Sequence, residues 1–356
     1  MSDAYSDAGV NVREADAGVA AIISALAKIN TGSPSRVLPL PGHFAAVLRL
    51  TDDLGLAICT DGVGSKLVVA EQANVLDTVG IDCVAMNVND LVCVGAEPIA
   101  LVDYLAVEES NPERLGQIAE GLRKGAELAG VEIPGGELAQ IPELIRGHPS
   151  PDGFDLCAAA VGTVTISKIV DGSAIAPGHT IVGVPSSGVH SNGLTLARKV
   201  LLDGGDPNER PSELGGASLT EALLVPTEIY VRGALELLRS DIDTSGLFHL
   251  TGGGLLNFLR LGNGVGYRID SPLPPQPVYG LIADRGGVPA HEMYEVFNMG
   301  CGFAVTVPAE QADSAVEILA AHHPGTKVIG TVTDEAGIVS VPALGITGDE
   351  HGLRAA

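Results

Sequence analysis

Basic residues are scarce in this sequence: 20 lysines and arginines stand against 44 aspartates and glutamates, which gives a formal net charge of −24. A charge of this sign repels nucleic acid and anionic membrane surfaces, and it argues against both as partners. An anionic ligand therefore needs a local site. Helix N-termini, glycine-rich backbone and magnesium can provide one without basic side chains, and the sequence has 46 glycines.

Long apolar runs and paired cysteines are also lacking. No uninterrupted apolar run approaches the ~20 residues that a membrane helix needs. The first residues have neither the basic segment nor the apolar core of a secretory signal. The five cysteines are odd in number and scattered, unlike a disulfide framework or paired zinc ligands. We therefore expect a soluble, cytoplasmic protein with free thiols and no membrane contact.

Length and hydrophobic spacing predict the organisation of the chain. With 356 residues, the chain exceeds the size at which one hydrophobic core usually keeps growing, so we expect two domains, residues 1–166 and 167–356. We expect the tail, 348–356, to be frayed. The spacing of apolar residues predicts helices over 16–29, 112–129, 194–202, 226–238 and 311–319, and strands over 56–59, 155–164, 180–184 and 327–332.

A glycine-rich segment, residues 60–66, follows the first apolar strand. Gly62 and Gly64 let backbone N–H groups approach a phosphate, while Asp61 is suited to hold magnesium and Lys66 to neutralise phosphate charge. The spacing of glycine and lysine differs from that of a Walker loop. A tight turn at the end of a strand is the structural alternative.

Two further acidic clusters lie in the first half of the chain. Asp82, Asn87 and Asp90 offer the hard oxygen atoms that magnesium prefers, completed by ATP phosphates and water. The alternative is a helix whose Asp82 caps the N-terminus and whose last polar residues face solvent. Gly136 and Glu137 combine permissive backbone with one carboxylate, and a glycine turn with an exposed acid is the alternative there.

The second half has a polar loop, residues 186–193, that joins a predicted strand to a predicted helix. Ser187, Asn192 and the free N–H groups of the helix start suit an anionic substrate or intermediate. His190 in this loop and His249, just before three glycines, can move a proton near neutral pH. A structural histidine is the alternative for each. For residues 291–294 and 297–302 packing at a strand end is the stronger interpretation.

Taken in order, these segments resemble the phosphoribosylformylglycinamidine cyclo-ligase (aminoimidazole ribonucleotide synthetase) family. Further matches lie at residues 5–10, 95–98, 103–104, 226–230 and 297–302. That family converts formylglycinamidine ribonucleotide and ATP into aminoimidazole ribonucleotide, ADP and phosphate. ATP phosphorylates the formyl oxygen, and the ribosyl-bearing amidine nitrogen then attacks the same carbon.

The resemblance implies a fold and a set of site residues. It implies an α/β fold of α+β-like character, with an N-terminal domain whose strands form a homodimer interface and a C-terminal sheet covered by helices. It assigns magnesium to Asp61, Asp90 and Glu137, and proton transfer or intermediate contact to His190 and His249. The residues that it implies for ATP are Asp61, Gly62, Gly64, Lys66, Asp82, Asn87, Gly136, Glu137, Ser187 and Asn192.

The sequence departs from the family pattern in two places. Leu138 and Gln140 stand where the family has threonine and glutamate, and His43 stands in a segment that usually reads Gly-Gly-Phe-Gly or Gly-Gly-Phe-Ala. Within the superfamily, thiamine-monophosphate kinase typically has aspartate where His249 lies, and selenophosphate synthetase has a reactive cysteine or selenocysteine near the N-terminus. The hydrogenase maturation relative fits the His249 and 187–193 motifs less well. A noncatalytic nucleotide-binding paralogue remains the alternative from another class.

Overall fold

The computed structural model describes residues 12–262 and 264–356, and it has two β-sheets with helices packed against them. The segment 5–10, which contributes to the family resemblance, lies outside these residues. The first helix, α1 (Val12–Leu26), leaves the apolar side chains of Val19, Ile22, Ile23 and Leu26 exposed. The α/β class that the sequence predicts is confirmed.

The first sheet has the strand order β1-β2-β5-β3-β4. Strands β2 and β3 each pair with β5 in antiparallel fashion, and β4 pairs with β3 in parallel fashion. The strands are β1 (Ala46–Arg49), β2 (Leu54–Gly62), β3 (Glu97–Val107), β4 (Glu132–Gln140) and β5 (Phe154–Thr165), and the helices of this half are α2 (Lys66–Ala73), α3 (Val79–Cys93) and α4 (Pro112–Ala129).

Helix α3 covers one face of this sheet, and α4 packs on α3. The two helices approach closely because glycines line their contact. A Cβ atom at Gly80 would lie 2.1 Å from the backbone nitrogen of Leu122. The close contact holds α3 in place between α4 and the sheet, and α3 carries three of the predicted site residues.

The other face of the first sheet is apolar, and no element of residues 12–262 and 264–356 covers it. Along β3, Leu101 and Leu105 point into the core, whereas Val102 and Tyr104 are 47% and 40% exposed. Strands β2 and β3 pair with opposite sides of β5, and this register places Ile58 of β2 on the same outer face. Ile58 is 37% exposed there. An apolar sheet face of this kind usually marks a contact surface.

The second sheet has the strand order β13-β12-β11-β8-β10-β6-β9-β7. Strand β9, which lies between β6 and the edge strand β7, is buried along its whole length. The strands are β6 (Thr180–Pro185), β7 (Gly246–His249), β8 (Gly266–Ile269), β9 (Cys301–Val307), β10 (Lys327–Thr333), β11 (Val339–Val341), β12 (Ile346–Asp349) and β13 (Gly352–Ala355). The helices are α5 (Leu194–Leu201), α6 (Leu219–Leu223), α7 (Val231–Arg239), α8 (Pro277–Gly286), α9 (Ala290–Val296) and α10 (Ala312–His322).

Short 3-10 helices connect several of these elements. They cover Ile166–Lys168, Ser212–Leu214, Gly254–Arg260, Ala309–Gln311 and Pro342–Leu344. The predicted division between residues 166 and 167 falls inside the first of them, in the segment between the two sheets, and it remains a prediction. None of the helices in the described residues is long and apolar enough to cross a membrane. All five cysteines are free.

Helix α4 shows why some predictions from sequence succeed. The Asn111 side chain accepts the backbone N–H groups of Glu113 and Arg114, Pro112 occupies the first turn, and Gly130 ends the helix in the left-handed conformation. Each of these signals is local in sequence. The predicted helix over 112–129 is therefore confirmed at both ends.

Two predictions of local structure are wrong. The helix predicted over 226–238 begins only at Val231, because residues 225–230 form no regular element and their backbone groups bond to Lys66 of α2 and to side chains of α3. The tail predicted to fray forms the hairpin β12–β13 instead. There the Leu353 N–H donates to a Glu295 carboxylate oxygen at 2.6 Å, and the Leu353 side chain is buried.

Candidate active site

Asp61 lies at the end of β2 opposite the middle of α3. Its backbone N–H donates to the Asn87 side-chain oxygen at 3.0 Å, and the Asn87 amide donates back to the Asp61 carbonyl at 3.1 Å. Asn87 thus holds the 61–66 loop through its backbone. The Asp61 carboxylate accepts only the adjacent Gly62 N–H, at 2.8 Å, among the bonds found in the described part of the chain.

A second carboxylate, Asp90, lies close to Asp61. Burial, and then the Asp90 charge, raise the pKa of Asp61 to about 6, while the Gly62 N–H opposes this shift. Two carboxylates this close repel each other unless a proton or a cation lies between them. The pair therefore has the electrostatics of a divalent cation site, with the hard oxygen atoms that magnesium prefers.

His249 lies behind Asp90 at the end of β7. Its Nδ1 atom is 2.9 Å from an Asp90 oxygen, and its Nε2 atom is 3.4 Å from the Asn89 amide nitrogen. These contacts match a neutral ring that donates from Nδ1 and accepts at Nε2. The ring is fully buried. The geometry thus makes His249 a residue that orients Asp90, and the predicted proton transfer by His249 has no free nitrogen atom to use.

His190 is also enclosed by protein. Its Nε2 atom accepts the Ser187 N–H at 3.2 Å, its side chain is 1% exposed, and burial holds its pKa well below the ordinary value. The residue has a positive φ of 62°, a backbone conformation that most non-glycine residues avoid. The ring therefore stabilises the turn of the loop through Nε2, and Nδ1 has no hydrogen-bond partner among the described residues, so proton transfer by His190 remains a prediction.

Lys66 and Asp82 form an ion pair with both side chains 0% exposed, and Lys66 Nζ lies 2.9 Å from Asp82 Oδ1. Lys66 also donates to the Val225 carbonyl at 2.6 Å. Burial lowers the pKa of Lys66, and the Asp82 charge opposes this effect. Asp82 therefore does not cap the helix. The predicted ATP contacts of Lys66 and Asp82 conflict with their position, because the two side chains are buried and pair with each other.

The loop 186–193 ends at Gly193, where α5 begins. Ser187 donates to the Pro226 carbonyl at 2.5 Å, so its hydroxyl is used within the protein. Asn192 is different, because its amide nitrogen is buried and has no hydrogen-bond partner among the described residues. It lies beside Gly252, at the start of the glycine segment that follows His249. An unpaired amide donor at this position suits an acceptor atom of a substrate.

Residues 297–302 pack under this loop, as expected. A Cβ atom at Gly193 would lie 2.2 Å from the Phe297 ring, so this position excludes any larger residue. The Asn298 amide donates to the Gly188 carbonyl at 3.0 Å, and Tyr279 donates its hydroxyl to both Gly188 and Asn298 at 2.8 Å. These contacts hold the loop 186–193 in place without a ligand.

Gly136 and Glu137 line a cavity of about 670 Å³ between α4 and the edge of the first sheet. Its walls are mostly apolar, with Leu105 of β3 and Leu122 of α4 among them. Asp103 stands at its rim, and the Asp103 carboxylate lies so close to Gly136 that a Cβ atom there would be 2.3 Å away. Burial raises the pKa of Asp103.

Glu137 does not reach Asp61 within one chain. Strands β5 and β3 lie between β2 and β4, so the two residues are separated by three strand spacings, or about 14 Å. Consistent with this separation, no group of three or more His, Cys, Asp or Glu side chains in residues 12–262 and 264–356 is arranged to hold a metal ion. The chain unites Asp61 and Asp90 but leaves Glu137 apart.

Two buried or half-buried polar residues near the site have no predicted role: Asp103, and Asn89, which is among the last polar residues of the helix alternative that were expected to face solvent. Asp103 interrupts an apolar strand, which is a signal that the sequence contains. Asn89 is buried, and it donates to the Glu228 carbonyl and accepts the Tyr230 N–H, both at 2.9 Å. The partners of Asn89 lie some 140 positions away, and no local pattern could have indicated them.

Residues 42–45, which depart from the family pattern, are held by contacts with the second half of the chain. His43 Nε2 is 2.8 Å from the Val170 carbonyl, and Arg260 donates to the Gly42 and His43 carbonyls at 2.8 and 3.1 Å. The Arg260 guanidinium lies 4.1 Å from the centre of the Phe44 ring. These contacts fix where the segment enters β1.

Comparison with known sequences places the chain in a family. The family described as AIR synthase related protein matches with its N-terminal domain over residues 42–164 and with its C-terminal domain over 176–341. A phosphoribosylformylglycinamidine cyclo-ligase of Methanothermobacter thermautotrophicus is 46% identical over 341 residues, which is 95% of this chain and 97% of the relative. One of Pyrococcus horikoshii is 45% identical over 349 residues, or 96% and 99%.

Solved structures share the fold at low sequence identity. The chain is similar to AaThiL in complex with AMPPCP and TMP, with a TM-score of 0.62, 17% identity and coverage of 86% and 89% of the two chains. It is similar to the hydrogenase maturation protein HypE in complex with ATP, with a TM-score of 0.59, 18% identity and coverage of 89% of each chain. The full-length relatives and the family match together show that this chain is a member of the phosphoribosylformylglycinamidine cyclo-ligase family of ligases.

Proposed function

We propose that this chain catalyses the ATP-dependent closure of formylglycinamidine ribonucleotide to aminoimidazole ribonucleotide, with release of ADP and phosphate, in purine biosynthesis. The observation that carries this proposal is the meeting of Asp61 and Asp90 at the junction of the two halves, in a chain that matches cyclo-ligases over its length. The use of ATP also fits the cytoplasmic location that the sequence predicts.

Asp61 and Asp90 are the residues proposed to hold magnesium. Their fit rests on the hard oxygen atoms of two carboxylates, one of which, Asp61, accepts only the Gly62 N–H among the bonds of the described residues. Burial, and then the Asp90 charge, raise the pKa of Asp61, and a bound cation would offset both effects. When bound, the ion supplies charge stabilisation for phosphoryl transfer. His249 fixes the orientation of the Asp90 carboxylate by its 2.9 Å contact, and Asn87 fixes the Asp61 backbone. Both carboxylates are thus placed before ATP arrives.

The cavity beside Gly136 and Glu137 is the proposed nucleotide pocket. Its volume of about 670 Å³ lies within the range of small-molecule sites, and its apolar walls suit a flat base. Gly136 leaves room for the Asp103 carboxylate at the rim. Asp103 and Glu137 thus provide the polar groups that orient a ligand whose base lies against Leu105 and Leu122.

For ring closure, the substrate must hold its amidine nitrogen against the phosphorylated carbon. Asn192 is the residue proposed to contact the substrate, since its amide nitrogen is buried and unpaired among the described residues. The rigid packing of Phe297 and Asn298 under the loop keeps this donor in place. Such positioning converts the second step into an oriented intramolecular reaction, which can lower the barrier by several kcal/mol.

We further propose that the enzyme is a homodimer formed through the outer face of the first sheet. This face exposes Ile58, Val102 and Tyr104, and burying such side chains against a second copy is favourable. A second copy also offers a place for Glu137, which lies on the edge strand β4 and cannot reach Asp61 of its own chain. We propose that Glu137 completes the magnesium-ATP site of the partner.

A coupled assay tests the function. Purified protein with formylglycinamidine ribonucleotide, ATP and magnesium should form aminoimidazole ribonucleotide and ADP in equal amounts, and omission of any component should stop both. Asp90→Asn should lower kcat about a hundredfold or more while the fold is retained, because the shape stays but the charge is lost. Tight ATP binding without turnover in the unaltered protein would instead favour a noncatalytic nucleotide-binding paralogue.

A further inference from the structure

The contact between the two halves of the chain is centred on one buried oxygen atom. Asp82 Oδ1 accepts four hydrogen bonds: from Lys66 Nζ at 2.9 Å, from the Thr227 N–H at 2.7 Å, from the Thr227 hydroxyl at 2.6 Å and from the Ser191 hydroxyl at 3.2 Å. Lys66 comes from the first half, whereas Ser191 and Thr227 come from the second. The other carboxylate oxygen, Oδ2, has no partner among the described residues.

The segment 225–230 lies along α3 and bonds to Lys66 at the start of α2 and to Asp82 and Asn89 of α3. Lys66 donates to the Val225 carbonyl, Asp82 accepts from Thr227, and Asn89 bonds to Glu228 and Tyr230. Every polar group of α3 in this contact is buried. Because buried hydrogen bonds to a charged group are costly to leave unmade, this segment and α3 have one preferred relative position.

The elements that meet at Asp82 are those that carry the proposed site. Lys66 begins α2, directly after the Asp61 loop, and Asp82 is two turns before Asp90 on α3. Ser191 precedes Asn192 in the substrate loop. A further contact, from the Thr195 hydroxyl to Ser65 at 2.9 Å, joins α5 to the end of the Asp61 loop. The ATP side and the substrate side are thus linked over a short distance.

We propose that Asp82, held by Lys66, is a positioning residue that fixes the substrate loop of the second half relative to the ATP-binding carboxylates of the first. This inference rests on the proposed function and adds a role to it. Asp82 touches neither ligand, since its side chain is fully buried. It acts through Ser191 and Thr227, and its effect falls on the alignment of the phosphorylated substrate for ring closure.

Misalignment has a chemical signature that loss of stability alone does not produce. If the amidine nitrogen is not held against the activated carbon, the phosphorylated substrate persists until water attacks its phosphorus atom. The phosphorus–oxygen bond then breaks, which returns the substrate and releases inorganic phosphate. ATP is consumed without a ring product, so the ratio of ADP to aminoimidazole product rises above its value in the unaltered enzyme.

The test uses Thr227→Val, which removes a hydroxyl that bonds to Asp82 and keeps the shape of the side chain. We expect kcat/KM for the ribonucleotide substrate to fall about tenfold, the size expected for one hydrogen bond to a charged group. The ratio of ADP to product should rise. The Kd for a nonhydrolysable ATP analogue should stay within about twofold, because this variant leaves the ATP-side carboxylates in place. Thr227→Ser should restore kcat/KM and the ratio of ADP to product.

Thr306→Val is the matched control. Thr306 is fully buried, and its hydroxyl bonds to Ser245 within the second half, away from the contact with α3. Loss of the Thr306 hydroxyl should lower the melting temperature about as much as Thr227→Val does, but it should not raise the ratio of ADP to product. Ser191→Ala removes a longer bond to Asp82 and provides a milder variant if Thr227→Val does not fold.

The outcomes separate the two proposals. If the unaltered enzyme forms no product, the proposed function fails. If the unaltered enzyme is active but Thr227→Val and Ser191→Ala keep its ADP ratio and kcat/KM, only the positioning role is overturned. Equal effects of Thr227→Val and Thr306→Val on every quantity would also overturn it, since they would reflect stability alone.

Discussion

Asp61 lies in an environment that disfavours the ionised form of its side chain. An ionised carboxylate is stable in water, yet Asp61 is largely removed from water and lies near the charge of Asp90. The resulting rise of its pKa to about 6 means that the folded protein binds this proton more tightly than the unfolded chain does. A bound cation can neutralise the carboxylate charge in place of the proton.

This environment predicts that magnesium and protons compete at Asp61. Below the pKa of about 6, magnesium must displace the Asp61 proton, so the Kd for magnesium with an ATP analogue should rise about tenfold per pH unit. Above about pH 7 the Kd should become nearly independent of pH. Calorimetric titration between pH 5 and pH 8 measures this dependence, and a Kd that is flat across the range would contradict it.

The free energy of unfolding without magnesium provides the control for the competition predicted at Asp61. A carboxyl group with a raised pKa costs stability once the pH exceeds the unfolded value, and the cost is complete above the folded value of about 6. Asp61→Asn should therefore be more stable than the unaltered protein by about 3 kcal/mol at pH 8 and nearly equal to it near pH 4. Added magnesium should narrow the difference at pH 8, as urea unfolding curves can show.

Among the elements, α3 determines the arrangement of the site. It contacts the first sheet, α4 and the segment 225–230, and it brings Asp82, Asn87 and Asp90 to three different neighbours. The sequence singled out these acidic and amide residues. Which neighbour each one contacts, and hence the separate roles proposed for them, depends on the face of the helix that each occupies.

The sequence predicted elements with local signals and missed those that depend on distant partners. The caps of α4 and the apolar runs of β5 and β6 are local, and both types of element were located within one residue at each end. By contrast, residues 226–230 resemble a helix start in sequence but bond to α3 in the structure. The hairpin β12–β13 has few local signals, because it is stabilised by pairing with β11 and by Glu295.

The contact between α3 and α4 leads to a prediction about Gly80. A Cβ atom there would lie 2.1, 2.5 and 2.7 Å from backbone atoms of Leu122, Gly121 and Ile118, so the helices would have to separate. We expect Gly80→Ala to cost about 3 kcal/mol or more of unfolding free energy. It should also lower kcat, because α3 carries Asp90. Denaturant unfolding and the coupled assay measure both effects.

Gly116→Ala in the same helix pair is the matched control. Gly116 lies on the exposed side of α4, with no atom within 4 Å of an added Cβ. Alanine there should stabilise the protein by about 0.5–1 kcal/mol, because glycine is the poorer helix former. A tolerated Gly80→Ala would mean that the two helices can move apart without loss.

At the scale of the whole molecule, the proposed site and the outer face of the first sheet each have a feature without a counterpart in the described part of one chain. Glu137 lies about three strand spacings, or about 14 Å, from Asp61, and the outer face of the same sheet exposes Ile58, Val102 and Tyr104. A two-fold dimer through this face would address both features, since an isologous contact buries the same surface on each copy. In such a dimer, the same contact would bury the outer face and complete the proposed site.

Mixed dimers test this arrangement. Asp90→Asn and Glu137→Gln homodimers should each be nearly inactive. If every site combines Asp90 of one chain with Glu137 of the other, random mixing of the two variants should restore about one quarter of the activity, because half of the dimers are mixed and each has one intact site. If each site lies within a single chain, no activity should return. As a control, Val102→Glu places a charge on the outer face and should give an inactive monomer in sedimentation measurements. An active monomer would show that one chain suffices.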